Sequence, residues 1–233
     1  KSLTFTKGYE SVSIGAFCCY TTNAWHYDAT DKNGRLNTLT PHSVDAFLAS
    51  ARVKNSYPVL CFHWGDENTH YPKYEHWQYS QKLLDTQSAT IIGHHPHVIQ
   101  GIRSYQLGTA IYSLGNFCFD DCKSTRFGVE VRQTEENRKG CLCLLDVSFQ
   151  KTPKIQIIAF AEKFGKCFLT DEFTDEITLY SCALETAAIP ERYEQMRKSE
   201  MLSARDKRMN RRDLRWLLRH LNLPSVMAVL QRR

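Results

Sequence analysis

An α/β fold is what this sequence predicts, and three observations carry that expectation. Apolar stretches of strand length alternate with helix-period stretches from Ser11 to Leu114. Two of the strands, Pro58–Phe62 and Ala89–Ile92, run directly into loops that carry histidines. After Asp121 the alternation gives way to a long hairpin and then to helix. In open α/β sheets the functional loops lie at the carboxyl ends of strands, where these histidines fall.

Each element has its own sequence reason. Val12, Ile14, Ala16 and Cys18 alternate with Ser13, Gly15 and Phe17, so Ser11 to Tyr20 reads as a mostly buried strand. Asp31 to Gly34 is a turn. Thr40 before Pro41 supplies an N-cap and a first-turn proline, and Val44, Phe47, Leu48 and Ala51 follow at helical spacing, giving a helix to about Lys54. Pro58–Phe62 is a strand, and Pro72–Asp85 a helix with Tyr74, Trp77, Gln81 and Leu84 along one side. Ala89–Ile92 and Thr109–Leu114 are further strands. Gly140–Phe149 and Ile155–Ala161 pair as an antiparallel hairpin, and from Thr174 the chain is helical, interrupted at Pro190 and Pro224. The organisation expected is one domain over residues 1–165 and a helical basic tail over 166–233.

Composition narrows the function classes. The 233 residues are 42% hydrophobic and 24% charged, ordinary for a globular chain. No apolar stretch approaches the roughly 18–20 residues of a membrane span, and Ser2 to Glu10 form no secretory signal core, so a cytoplasmic or peripheral-membrane location is expected. The nine cysteines are read as reduced thiols, several of them in strand-like apolar runs. Neither Cys118/Cys122 nor Cys141/Cys143 has the two-residue gap typical of a zinc site. Thirty Lys and Arg against 25 Asp and Glu give a net charge of +5. Between Arg197 and Arg233 the balance is +8, from eleven basic and three acidic residues. Within that tail Leu214, Leu217, Leu218 and Leu221 form an apolar stripe, and Arg212, Arg215 and Arg219 a basic one. The tail therefore suits an anionic membrane surface or an acidic partner, with a helix packed on the body as the alternative. Nucleic acid is not expected, since Trp216 is the only aromatic residue among the arginines and no groove-reading motif is present.

The chemistry-bearing residues concentrate in one stretch. Gly93-His-His-Pro-His97 places three imidazoles within four positions, after a glycine that permits close backbone approach and around a proline that stiffens the loop. Imidazole is the commonest protein metal ligand, so this cluster reads as the edge of a metal site.

Three segments, His63-Trp-Gly-Asp-Glu67, Gly93-His-His-Pro-His-Val-Ile-Gln-Gly101 and Tyr112-Ser-Leu-Gly-Asn-Phe-Cys-Phe-Asp120, resemble in order and separation the capsule-synthesis CapA family. These are poly-γ-glutamate synthesis proteins of the calcineurin-like metallophosphoesterase superfamily. The resemblance covers about residues 11–120. It implies part of a calcineurin-like sandwich, an exopolymer-synthesis function and a two-metal hydrolase site acting on an anionic polymer through a phosphoester or amide bond. By the same resemblance His63, His95 and His97 are metal ligands, with His94 an alternative to His95. Glu67 orients an imidazole or touches substrate, and Tyr112 and Asn116 line the substrate side. For that last segment a buried strand and a tight Gly-Asn turn are the alternative. Imidazoles with carboxylates suit Mn, Fe or Zn.

The family's earlier motifs, an Asp-x-His, a Gly-Asp and a Gly-Asn-His, do not occur in residues 1–62. They are expected upstream of Lys1, and without them the histidines hold at most one metal. Arg103 stands where the family often has an acidic residue and Asn68 where it often has Tyr, so substrate contacts are expected to differ. The rival expectation is a non-catalytic, partner-binding relative.

Overall fold

The computed structural model describes residues 2–19, 37–124, 129–147 and 153–210. The turn at 31–34, Tyr20, Phe149 and the Leu214–Leu221 and Arg212–Arg219 stripes lie outside these residues.

The fold is α/β. Six strands form one mixed sheet in the order β1-β2-β3-β4-β6-β5: β1 (Leu3–Lys7), β2 (Glu10–Cys18), β3 (Tyr57–His63), β4 (Thr90–His94), β5 (Ile102–Ser104) and β6 (Thr109–Ile111). The four central strands, β2, β3, β4 and β6, run parallel, and β1 and β5 close the two edges antiparallel. β1 was not expected. Leu3 and Phe5 alternate with Thr4 and Thr6, and a two-residue Gly8-Tyr9 turn joins them to β2 in a hairpin.

Helix α1 (Pro41–Val53) begins as its sequence predicts. Thr40 and Ser43 cap each other reciprocally, and Val44, Phe47, Leu48 and Ala51 are buried. Helix α2 (Tyr74–Leu84) buries His76, Trp77, Ser80, Leu83 and Leu84, a face rotated from the one expected, in which Gln81 is only half-buried. One sheet face and these helices form the main core, with Phe17, Leu60, Phe62, Trp64, Ile91, Ala110 and Tyr112 at its centre.

The hairpin after Asp121 is present as β9 (Lys139–Asp146) and β10 (Lys154–Lys163), to which β11 (Lys166–Leu169) adds a third strand. A two-stranded ribbon, β7 (Cys122–Ser124) with β8 (Val129–Val131), precedes it. The second sheet joins the end of β6 through the Cys141 N–H, which donates to the Leu114 carbonyl at 2.8 Å, and a Gly115–Gly140 bridge. The Gly115 φ of +71° suits a residue without Cβ.

The division expected at residue 165 is not a packing boundary. Helix α3 (Thr174–Ala183) places Ile177, with Phe173, in a second core beside Ile99, Cys141 and Ala159. The turn Leu184–Ala188 and helix α4 (Pro190–Asn210) add Leu184, Ala187 and Tyr193 to the main core. For the first residues from Arg197 onward, the alternative of a helix packed on the body holds. Arg197 is 6% exposed, and its guanidinium donates to Asp66 Oδ2 at 2.7 Å and to the Tyr71 carbonyl at 3.2 Å. Tyr193 Oη donates to the Pro72 carbonyl at 2.8 Å. The sequence counted Arg197 as free charge because only tertiary packing gives it a carboxylate partner. Among the described residues, no helix is long and apolar enough to cross a membrane.

Candidate functional site

The site lies where β3 and β4 end. His63 and His94 are register partners at the last rung of that parallel pair. The chains then cross-link. Trp64 N–H donates to the His94 carbonyl at 3.0 Å, and Asn68 N–H donates to the Pro96 carbonyl at 2.7 Å. Gly93 permits this closeness: a Cβ there would lie 1.8 Å from the Tyr112 carbonyl oxygen and 2.6 Å from Trp64 Nε1. In the space so freed the Trp64 indole N–H donates to that same carbonyl at 3.1 Å.

Beyond Gly93 the backbone turns sharply. His95 has φ +99° and His97 φ +60°, and across the loop Asn68 has φ +59°. Non-glycine residues adopt such values at a cost of order 1–3 kcal/mol each and cluster at functional sites. The turn brings Glu67, His95 and His97 together, one ligand-type atom from each lying within 4.8 Å of the others. His63 flanks this trio, its ring centroid 4.6 Å from that of His95. The rings of His95 and His97 are 6.1 Å apart, and Phe119 covers the outer side of His97 edge-on at 5.1 Å.

The electrostatics favour neutral imidazoles. Burial and the neighbouring His97 hold His63 below the ordinary imidazole pKa, with Glu67 opposing. Burial and His63 do the same to His95, again against the pull of Glu67. A neutral imidazole keeps a lone pair for a metal or a proton.

Other sequence candidates fall elsewhere. His94 is exposed and stands outside the trio. Tyr112 is fully buried, its hydroxyl 2.6 Å from that of Tyr105, and so offers a bound molecule no group. Its position two residues beyond the buried Ala110, on the core face of the strand, is the physical reason. Asn116 is 8% exposed and spends its amide on protein partners: Oδ1 lies 2.8 Å from His97 Nδ1, and Nδ2 donates to the Asn137 carbonyl at 2.9 Å. It steadies a ring instead of facing substrate. Arg103 is also structural. It donates to the Leu184 carbonyl at 2.9 Å and lies over Trp77 and Tyr105. Burial pushes the Cys141 thiol up to about 12, which keeps it protonated and unsuited to zinc.

Asn137 was missed. It sits on a 3-10 turn (Glu136–Arg138), 5% exposed, and joins the His97 carbonyl, Asn68 and Asn116. Its one sequence signal is local. Thr134 and Asn137 hydrogen-bond reciprocally, as a helix-start Thr and the residue three positions on do.

Two imidazoles and a carboxylate facing one point are a donor set that comparison with known proteins sets in context. The family described as "Bacterial capsule synthesis protein PGA_cap" matches residues 3–121, just over half of the chain. The chain belongs to this family. Within it, the chain is 41% identical over 62 residues to the capsule biosynthesis protein CapA of Bacillus anthracis, a stretch equal to 27% of this chain and 15% of that protein. It is 36% identical over 73 residues to the PGA biosynthesis protein CapA of Bacillus subtilis (strain 168), 31% of this chain and 19% of that one. An uncharacterized protein, y4sH, of Sinorhizobium fredii is 40% identical over 45 residues, 19% of this chain and 10% of its own length. The matched stretches thus span less than a fifth of these curated relatives. The PGA_cap match contains Glu67, His95, His97 and Asn116 and stops short of Asn137.

Proposed function

We propose that this chain carries part of a divalent-metal hydrolase-type centre of the calcineurin-like metallophosphoesterase kind. It would act in the synthesis or handling of a poly-γ-glutamate-type capsule polymer. The observation that carries the reading is the convergence of Glu67, His95 and His97 within 4.8 Å. Two imidazoles and one carboxylate suit Mn, Fe or Zn and leave coordination positions open. The residues fit one ion. A second ion needs a bridging carboxylate, and the described residues gather no further cluster of this kind.

Bound there, a divalent cation supplies Lewis-acid polarisation and a lowered pKa for water. The chain's own residues supply the rest. His95 presents a neutral ring beside that of His97, Glu67 adds negative charge, and His63, kept neutral beside His95, is placed to accept a proton. Phe119 walls the His97 side. The substrate of this reading would be an anionic polymer with a phosphoester or amide bond, whose charge a cation on Glu67, His95 and His97 would attract. In a second reading the chain binds such a polymer or a protein partner without turnover. That the described residues gather one such ligand cluster favours it for this chain by itself.

The test is retention of poly-γ-glutamate on immobilised protein, with Mn or Zn present and after chelation. Retention that needs the cation and is lost in His95→Ala supports the proposal. Retention unchanged by chelator and by His95→Ala refutes it.

A further inference from the structure

The amide groups around His97 form a chain of forced choices. The backbone N–H of Thr134 can only donate, and it reaches Asn137 Oδ1 at 3.1 Å, so the other end of that amide is its NH2. That NH2 donates to the His97 carbonyl and to Asn68 Oδ1, both at 2.9 Å. The Asn137 carbonyl can only accept, and it takes the NH2 of Asn116 at 2.9 Å. Asn116 is therefore left with Oδ1 toward His97 Nδ1, 2.8 Å away. An oxygen there requires the imidazole proton on Nδ1, which leaves Nε2 with the ring's lone pair.

We infer that Asn137 is a positioning residue of this centre: its carbonyl, acting through Asn116, selects the His97 tautomer whose Nε2 is free to ligate. Its NH2 meanwhile holds the His97 carbonyl, and with it the left-handed φ of +60°. The same NH2 ties down Asn68, the neighbour of Glu67, so one buried side chain links both ligand-bearing loops. Partners that hold the second nitrogen of a ligating histidine fix its tautomer and orientation, and losing one typically costs about 10–100-fold in metal affinity. Asn137 can do this because the Gly115–Gly140 bridge pulls the start of β9, and the turn before it, against the loop after β6. The metal part of the inference rests on the proposed centre; the tautomer part does not.

The experiment reads both parts separately. In metal-free protein labelled with 15N in its histidine rings, above pH 7.5, long-range 1H–15N spectra report which nitrogen of His97 carries the proton. The full chain is expected to show the Nδ1–H form alone. The Asn137 main-chain carbonyl survives any side-chain change, so Asn116→Leu, which removes the oxygen facing His97 Nδ1, is the tautomer test. It should give mixed tautomers and a Zn dissociation constant raised about 10–100-fold, and Asn116→Ala serves should it not fold. Asn137→Ala keeps the main-chain carbonyl and removes the NH2 that holds the His97 carbonyl and Asn68, so it should weaken Zn binding with the Nδ1–H form retained. A pure Nδ1–H ring in the Asn116 variants, or Zn binding unchanged in Asn137→Ala, overturns the inference. Mixed tautomers in the Asn116 variants of a protein that binds no Zn would uphold the tautomer part and refute the metal reading.

Discussion

The two faces of the six-stranded sheet make opposite use of the same strands. Register puts Ser13, Gly15 and Phe17 of β2 with Leu60 and Phe62 of β3 and Ile91 of β4 on one face, packed under helices α1 and α2. The other face takes the alternate residues: Leu3 and Phe5 of β1, Val12, Ile14 and Ala16 of β2, Cys61 and Ile92, and at its carboxyl end His63 and His94. There Leu3 is 64% and Phe5 59% exposed, whereas Leu60 and Phe62 are fully buried. Burial returns at Cys18 of β2 and Val59 of β3, and toward β6 at Thr90, Thr109 and Ile111. The helix-covered face holds the fold together, and the open face ends in the histidines. Alternation along one strand thus assigns stability and chemistry to neighbouring residues.

The comparison breaks most severely at Gly93. A methyl group there collides with the Tyr112 carbonyl and evicts the Trp64 indole from its acceptor. Gly93→Ala should cost more than about 4 kcal/mol, the range reserved for core disruption, and chemical denaturation would measure it. Next comes the contrast between faces. Phe62→Ala should cost about 3–5 kcal/mol, while Phe5→Ala should stay within about 1 kcal/mol, because little of its surface leaves water. Equal losses in paired urea titrations would mean that the open face is covered as well.

A smaller effect is tied to pH. His76 stacks on Trp64 in the covered core, 4.6 Å between ring centroids. Burial, with the charges of Lys73 and Arg197 and against that of Asp66, lowers its pKa from 6.5 to about 4. The unfolded chain binds the proton more readily between those values, so stability is fully present above about pH 6.5 and falls as pH drops toward 4. The loss reaches at most about 3 kcal/mol. In His76→Gln this part of the pH dependence should disappear from thermal melts taken across that window.

The covered face was the legible one. Period-2 and period-3.6 spacing report burial, and α1, with its Thr40–Ser43 cap and buried Val44, Phe47, Leu48 and Ala51, follows the sequence nearly residue for residue. The histidines of the open face were visible because three imidazoles in four positions are chemically unusual. What stayed hidden depends on contacts between distant segments. Asn116 and Tyr112 read alike as strand-end polar groups, yet one orients His97 and the other is sealed in the core. Asn137 reaches Asn68 across 69 positions of sequence, a partner no local pattern announces. Arg197 looked like a solvated tail charge until α4 folded it onto Asp66.

That the open end of the sheet holds a divalent cation is the central claim, and calorimetric titration of the metal-free chain with Zn or Mn tests it most directly. The account expects one ion per chain, an affinity at least tenfold weaker in either His95→Ala or His97→Ala, and folding stability within about 0.5 kcal/mol of the original in His95→Ala, whereas His97→Ala, which strands the buried Asn116 Oδ1, should lose about 1–3 kcal/mol. Binding of equal strength in the two variants, or none in the unaltered protein, would contradict it.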